Sequence, residues 1–260
     1  MFPQLKVLVA LATITSAHGF INSTDEIPKK NSLQAEKTGV PIEVHRKIYS
    51  YTRNSTAFKN FTFEDTVAFI NELNEWKAPQ DIRDTLPYYL WGYDYDNRPV
   101  WSQEVGSQDW RAIVEQGPGK IALVEKYFMQ ALIHVTKSLV AVDKLGEEVR
   151  SGVFIWDMDG FTMRQVTYLP SVAVGLQMAR KWGDLPKEMV GLGIGINVNY
   201  ATKVAFQIGR PLFGGFLERV ELYGSNRNVW LPRLLKILPA DIIPPKYGGN
   251  KKFKPVGAFG

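Results

Sequence analysis

The chain has 260 residues, enough for one large domain or two small ones, and hydrophobic residues make up 45% of it, which is sufficient for a substantial core. Charged residues make up 22%, which argues against global disorder, and the net charge of +5 fits either a soluble surface or an affinity for anionic membranes. Because the chain has no cysteine, thiol catalysis, zinc–thiolate sites and disulfide bonds are excluded.

Residues 1–19 have the features of a secretory signal peptide. Lys6 precedes an apolar run from Val7 to Ile14, and small residues follow it. The run is too short to span a bilayer, and a buried N-terminal strand or helix is the alternative interpretation. Residues 20–45 are polar and are interpreted as a tail or linker.

Three N-x-S/T sequons follow the predicted signal peptide, at Asn22, Asn54 and Asn60. Each sequon alone is a weak signal, but together with a signal peptide they predict a glycosylated surface. We therefore expect a glycoprotein that is secreted or resides in the lumen of the secretory pathway.

Residues 46–84 are predicted to form a short N-terminal helical segment. Thr62 is a suitable N-cap, with Asp65 three residues later, and apolar residues continue at helical spacing to Lys77. Pro79 is expected to end this helix.

The next residues predict a β-hairpin and a long helix. Residues 87–101 are rich in aromatic residues on both sides of a turn-forming run from Asp94 to Asn97, which favours two strands around a tight turn. Apolar residues then recur at i, i+3 and i+4 over residues 120–145, which predicts a helix ending before Gly146.

Strands and helices alternate in the second half of the chain. This order predicts a parallel or mixed sheet with helical crossovers, and the first strand is apolar on both sides, as in a sheet that is covered on both faces. The predicted elements are a strand at 152–157, helical residues at 163–183, a strand at 190–197, a helix at 199–210 ending near Pro211, an edge strand at 217–222, and a helix at 227–237.

Metal-dependent and serine-hydrolase chemistry have little support in this sequence. Of the 3 histidines, only His45 and His134 follow the predicted signal peptide, and they are far apart in the chain, with His134 on the polar flank of the long helix. Two separate histidines without cysteine do not suggest a transition-metal site. No G-x-S-x-G elbow is present, so a Ser-His-Asp triad is not expected either.

Three glycines, Gly191, Gly193 and Gly195, partly match a dinucleotide-binding fingerprint. The last glycine of that fingerprint would fall at Ile196, and the glycines lie within the predicted strand rather than in the turn after it. Close packing against the strand, or space for a ligand, accounts for them better.

Asp157 and Asp159 follow a hydrophobic strand and allow two interpretations. One is a catalytic or magnesium-binding pair, but no further carboxylate or phosphate-binding loop supports it. The favoured interpretation is that Asp157 anchors the turn after the strand, where Gly160 relieves backbone strain.

Several of these motifs together resemble the CRAL-TRIO lipid-binding domain, the fold of yeast-type phosphatidylinositol transfer proteins and of tocopherol and retinaldehyde carriers. The resemblance covers residues 85–250 and leaves 251–260 as a basic C-terminal tail. The matching segments are Tyr93-Asp94 to Arg98-Pro99-Val100, Phe154-Ile-Trp-Asp157-x-x-Gly160, Leu169-Pro-Ser-Val172, Leu185-Pro186, Gly193-Ile-Gly-Ile-Asn197, Arg210-Pro211-Leu212-Phe213, and Leu238-Pro239 with Tyr247-Gly-Gly249.

The resemblance implies an α/β fold in which a mixed, mostly parallel sheet and helices form an apolar lipid pocket under a mobile lid helix. It also implies that a small helical domain precedes this fold. Residues 58–77 resemble the last helix of that domain. Upstream of it, residues 49–54 and the sequons stand where the family has a basic helical segment.

The resemblance also implies a function, which is non-catalytic binding and intermembrane transfer of a hydrophobic ligand. The ligand would be of the phospholipid, sterol, tocopherol or retinoid class, and the protein would be a monomer that contacts membranes transiently. No cofactor, metal or nucleic acid is expected. The alternatives are a lipid-ester hydrolase on a similar α/β fold and an interaction domain with a filled pocket.

Candidate site residues follow from the same resemblance. The lid would be the helix from Tyr200 to Gly209, in which Ala201, Ala205 and Ile208 share one face. Without the resemblance, ordinary core packing is the favoured interpretation of this apolar stripe. The expected pocket and lid residues are Phe154, Trp156, Met178, Ile194, Ile196, Ala201, Val204, Ala205, Ile208 and Phe213.

Glu188 and Arg219 occupy the positions of headgroup-contacting residues in phosphatidylinositol-binding members. Arg219 could pair bidentately with a phosphate. A solvated surface pair is an equally good interpretation. Met189 and Gly191 stand where some carriers have basic residues, which weakens the case for phosphoinositide binding.

Overall fold

The computed structural model describes residues 39–260, except for the side chains of residues 213 and 214. The predicted signal peptide, the sequon at Asn22 and residues 20–38 of the predicted tail lie outside the described residues.

The described part begins with three helices, α1 (Ile42–Thr52), α2 (Phe63–Glu75) and α3 (Gln80–Thr85). The predicted start of α2 is confirmed by a reciprocal capping box. The Thr62 hydroxyl accepts a hydrogen bond from the Asp65 amide at 3.1 Å, and the Asp65 carboxylate accepts one from the Thr62 amide at 3.0 Å.

Helix α1 corrects the prediction for the residues before α2. Residues 42–45 were assigned to the polar tail, and residues 49–54 were expected to replace the basic helical segment of the family. The structure instead has one continuous helix, Ile42–Thr52. Its apolar face, including Val44 and Ile48, is buried in the core. This burial stabilises a helix whose sequence is polar on the remaining face.

The sheet has six strands in the order β5-β4-β3-β2-β1-β6. The strands are β1 (Tyr88–Tyr93), β2 (Pro99–Gln103), β3 (Gly152–Asp157), β4 (Val190–Ile196), β5 (Val220–Leu222) and β6 (Gly257–Phe259). Strands β2 to β5 pair in parallel, and β1 pairs antiparallel with both β2 and β6. The predicted α/β fold with a mixed, mostly parallel sheet is confirmed.

The predicted turn between β1 and β2 is also confirmed. The Asp94 carboxylate accepts hydrogen bonds from the amides of Asp96 at 3.0 Å and Arg98 at 2.7 Å. Asn97 has a φ of 58°, a left-handed conformation that asparagine tolerates better than most residues.

The remaining helices connect the strands and cover the sheet. They are α4 (Trp110–Glu115), α5 (Pro118–Val140), α6 (Met163–Thr167), α7 (Leu169–Trp182), α8 (Asp184–Met189), α9 (Tyr200–Phe213) and α10 (Arg227–Ile237). Helix α10 has the predicted limits, whereas the predicted helical region at 163–183 consists of α6 and α7.

Three predicted boundaries are wrong. Helix α5 ends at Val140 rather than near Gly146, because the following loop is held by Asp143, whose carboxylate accepts hydrogen bonds from the Lys47 ammonium and the Val149 amide, both at 2.8 Å. Helix α9 continues through Pro211, which lies in its last turn, so that the proline removes one backbone hydrogen bond near the end of the helix and leaves the preceding turns intact.

The third boundary error concerns the predicted strand at 217–222. Residues Gly214–Arg219 form a 3₁₀ helix, and only Val220–Leu222 form the edge strand β5. The alternation of apolar and polar residues over this segment predicted a strand and gave no sign of the 3₁₀ helix.

The C-terminal segment 251–260, predicted to be a basic tail, ends in strand β6, which pairs with β1. There the Phe259 ring stacks on His134 of α5, with 4.1 Å between the ring centroids. The Tyr88 hydroxyl lies 2.8 Å from Nδ1 of the same histidine. His134 is therefore packed beneath the C-terminal strand, and its assignment to a polar flank of α5 is wrong.

The two faces of the sheet have different environments. One face carries Val153, Ile155 and Ile194 and packs against α10 through Trp230 and Leu234. The opposite face is covered at one end by α5, against which α1 and α2 pack. At its other end, near β3, the same face borders a cavity.

Candidate functional site: an apolar cavity

A cavity of about 640 Å³ lies between the sheet, α5, α7 and α9. This volume falls within the range of about 300–1,000 Å³ that is usual for small-molecule sites. Its main apolar side chains are Phe128, Met129, Leu132 and Val135 of α5, Phe154 and Trp156 of β3, Val172, Leu176 and Met178 of α7, and Ala205 and Ile208 of α9.

The cavity wall contains no charged side chain among the described residues. Its polar side chains are Gln103, Gln165 and Ser171, together with the indole N–H groups of tryptophans. An ion would lose its hydration in such a site without gaining a partner. The wall therefore suits an uncharged or hydrocarbon group.

Strand β3 directs Phe154 and Trp156 into the cavity, as expected from the sequence. Ile194 and Ile196 of β4 were expected to line it too, and that expectation is wrong. Both are fully buried on the opposite face, against the α10 side of the sheet. Side chains alternate along a strand, so the cavity-facing positions of β4 include Gly193, which is paired with Phe154.

Helices α7 and α9 cover the cavity. Helix α7 has no buried residue, yet it lines the cavity along its length from Ser171 to Trp182. In α9, Ala205 and Ile208 line the cavity as predicted, and Ile208 is also 37% exposed. Because α7 buries no residue of its own, we expect it to open more readily than the core.

The other predicted lid residues lie elsewhere. Ala201 is buried in a small cluster with Met158, Phe161 and Val198. Val204 is partly buried but does not line the cavity. The side chain of Phe213 lies outside the described residues. Met178, in α7, does line the cavity as predicted.

Neither headgroup candidate lines the cavity. Glu188 is exposed at the end of α8. Arg219 donates a hydrogen bond from Nη2 to the Lys187 carbonyl at 2.5 Å and lies over the Phe216 ring. Within residues 39–260, no ion pair joins Glu188 to Arg219, so the predicted surface pair is absent as well.

Three polar atoms in the cavity wall were not identified from the sequence. Gln165 Oε1, Ser171 Oγ and Trp182 Nε1 are buried without a hydrogen-bond partner in the described part of the chain. Ser171 lies within the Leu169–Val172 motif, which was the one available signal. Buried polar groups are normally paired, so these atoms mark positions where a ligand can be recognised.

Asp157 anchors the end of β3, as the favoured interpretation predicted. Its carboxylate accepts hydrogen bonds from Asn197 Nδ2 and the Tyr247 hydroxyl, both at 2.8 Å, and from the Asp159 amide at 3.0 Å. Burial opposes its ionisation, but these bonds and the charge of Lys246 hold the pKa of Asp157 below its usual value. No group of side chains within residues 39–260 has the composition of a metal site.

Several large apolar side chains on the cover are exposed. Leu169, at the start of α7, is 67% exposed, and Tyr200, at the start of α9, is 72% exposed. Basic residues of the same helices, including Arg180 and Lys203, are exposed too. No helix within residues 39–260 is long and apolar enough to cross a membrane.

The chain has a family match and a structural neighbour among known proteins. The family model for the CRAL/TRIO domain matches residues 83–249, which include the first five strands and every wall of the cavity. The crystal structure of Sfh5 is similar at 9% sequence identity with a TM-score of 0.44, over 72% of this chain and 69% of that chain.

Proposed function

This chain belongs to the CRAL/TRIO family, and we propose that it binds one hydrophobic ligand in its cavity and transfers it between membranes without catalysing a reaction. The observation that carries the proposal is the 640 Å³ cavity with uncharged, mostly apolar walls. The same cavity argues against the alternative of an interaction domain whose pocket is filled by side chains.

The energetics of lipid transfer support a cover that opens at a membrane. Burying a hydrocarbon chain gains about 0.8 kcal/mol per CH₂ relative to water. Moving the chain from a bilayer into the cavity exchanges one apolar medium for another and gains little. The exposed Leu169 and Tyr200 on the cover would enter the interface while their basic neighbours face anionic lipid.

A lipid-ester hydrolase is the weaker alternative. Ser171 is the serine in the cavity wall, and a hydrolase would need a base beside it. His45 is held by the Pro41 carbonyl and Asn71, and His134 by Tyr88, and neither lines the cavity. Within the described residues, Ser171 therefore has no histidine to activate it.

Native mass spectrometry and lipid extraction of protein purified from a eukaryotic host test the proposal. A carrier retains about one lipid molecule per chain and moves it from donor to acceptor vesicles. A protein that is always empty and moves no lipid would contradict a carrier function. Turnover of a lipid ester would revive the hydrolase.

We further propose that the protein is a monomeric glycoprotein of the secretory pathway. The signal-like segment and the sequons motivate this, and Asn54 and Asn60 are exposed. N-terminal sequencing and glycosidase treatment test it. We expect a mature chain beginning near His18 or Phe20 with glycans at some sequons, whereas an intact, unglycosylated Met1 form would place the protein in the cytosol.

A further inference from the structure

Two of the unpaired atoms in the cavity wall lie close together in the chain, in helices that pack against each other. Gln165 belongs to α6 and Ser171 to the first turn of α7. The third, Trp182 Nε1, lies eleven residues farther along α7, which corresponds to about 16 Å at 1.5 Å per residue. Gln165 and Ser171 therefore form a polar pole near the start of α7, and the other polar groups of the wall are Gln103 and the tryptophan N–H groups.

The hydrogen bonding of Gln165 determines what this pole requires. Its Nε2 donates to the Gln108 carbonyl at 2.9 Å, which fixes the orientation of the amide. Oε1 is then the free atom, and it is an acceptor only. Ser171 Oγ can donate as well as accept. A ligand group that satisfies Oε1 must therefore carry a hydrogen to donate.

The wall also determines the charge of the ligand. A carboxylate would place a negative charge beside Gln165 Oε1, and among residues 39–260 no lysine, arginine or histidine lines the cavity to compensate it. A phosphate or an ammonium group would likewise be desolvated without a counter-charge. A hydroxyl has the donor that Oε1 requires and no charge to desolvate.

We propose that the ligand is an uncharged lipid with a terminal hydroxyl, bound with that hydroxyl at Gln165 and Ser171 and with its hydrocarbon body between α5, α7 and β3. This inference rests on the proposed carrier function and narrows its ligand class. It excludes lipids that would place a phosphate or a carboxylate in the cavity.

Four linear probes of nearly equal chain length test the inference. They are 1-hexadecanol, hexadecyl methyl ether, hexadecanoate and hexadecane, titrated while the fluorescence of the wall tryptophans is recorded; Trp110, Trp156 and Trp182 all line the cavity. Hexadecanol is expected to bind about tenfold more tightly than the ether, which cannot donate a hydrogen bond. It is also expected to bind more tightly than hexadecanoate, which is charged, and hexadecane, which has no polar group.

The variants Gln165→Met and Ser171→Ala test whether the polar pole causes the preference for hexadecanol. Each is expected to lower hexadecanol affinity about three- to tenfold and to leave hexadecane affinity nearly unchanged. The matched control is Gln177→Met, because Gln177 lies on the exposed side of α7 and outside the cavity wall. Circular dichroism verifies that every variant remains folded.

The outcomes separate this inference from the carrier function. If none of the four probes binds to the folded wild-type protein, the proposed function itself fails. If hexadecanoate or the ether binds as tightly as hexadecanol, or if both variants bind hexadecanol like the wild type, the carrier function stands and the hydroxyl assignment is overturned.

Discussion

The indole ring of Trp156 packs directly over Gly193 of the neighbouring strand. A Cβ atom placed at residue 193 would lie 2.5 Å from Cζ3 of that ring. The absence of a side chain at this position therefore allows Trp156 to lie against β4 while it lines the cavity. A glycine that partly matched a nucleotide-binding fingerprint in the sequence thus shapes an apolar wall.

The first prediction is that Gly193→Ala destabilises the protein. The new methyl group must displace the Trp156 ring, and overpacking of this kind costs about 1–3 kcal/mol. The ring would move into the cavity, so ligand capacity should fall as well. Urea denaturation and lipid extraction measure the two effects.

Gly175→Ala is the matched control for this substitution. Gly175 lies within α7, and a Cβ atom there would have no neighbour within 4 Å. Alanine should stabilise the helix by up to about 1 kcal/mol. Equal stability changes in the two variants would contradict the role assigned to Gly193.

The sequence predicted those elements whose signals are local. Thr62 and Asp65 specify the start of α2 through their own hydrogen bonds, and the apolar run at 152–157 specifies a buried strand. The start of α1 was missed, although residues 46–52 lay within the predicted helical segment, because the helix depends on packing against α5, which is distant in the chain.

The cavity was predictable as a family property but not residue by residue. Ile194 and Ile196 were assigned to it from the family resemblance, and only the packing of α10 shows which face of β4 they occupy. Gln165 and Ser171 resemble ordinary surface residues of a helix. Their importance follows from burial without a partner, which no local pattern reveals.

The second prediction concerns acid stability and His134. Burial, together with the nearby charge of Lys137, lowers the pKa of His134 from 6.5 to about 4. The unfolded chain therefore takes up this proton at higher pH than the folded chain. The contribution of the neutral imidazole to the free energy of unfolding is fully present above pH 6.5 and is lost as the pH falls towards 4, by about 3 kcal/mol in total.

The variant His134→Gln removes this titration. Its free energy of unfolding, measured in urea between pH 7 and pH 4.5, should fall less steeply than that of the wild type. The absolute stability of the variant is not the criterion, because the stacking on Phe259 is lost as well. Parallel curves for the two proteins would show that His134 titrates normally.

The third prediction is that Asp157→Asn lowers stability at neutral pH by about 1–3 kcal/mol, since a buried, charge-assisted acceptor is replaced. Its pKa is held low in the folded state, so its contribution is present at neutral pH and is lost as the pH falls through that lowered value. The difference between wild type and variant should therefore narrow in acid.

Asp159→Asn provides the comparison for Asp157, because Asp159 is exposed two residues away. Thermal unfolding of this variant at pH 7 should be within about 0.5 kcal/mol of the wild type. Similar losses in both variants would instead favour a joint role for the two carboxylates, such as the magnesium pair that the sequence left open.

The last prediction is that Ile208→Asp slows lipid transfer between vesicles while the far-UV helical signal is retained. Ile208 is 37% exposed and lines the cavity from α9, so its side chain meets either the lipid or the bilayer when the cover opens. A carboxylate there costs far more in an apolar environment than in water. Gln207→Asp, on the exposed side of the same helix, adds the same charge outside the cavity and should transfer lipid nearly as the wild type does. Wild-type transfer by a folded Ile208→Asp protein would mean that α9 is not the moving cover and that the ligand enters elsewhere.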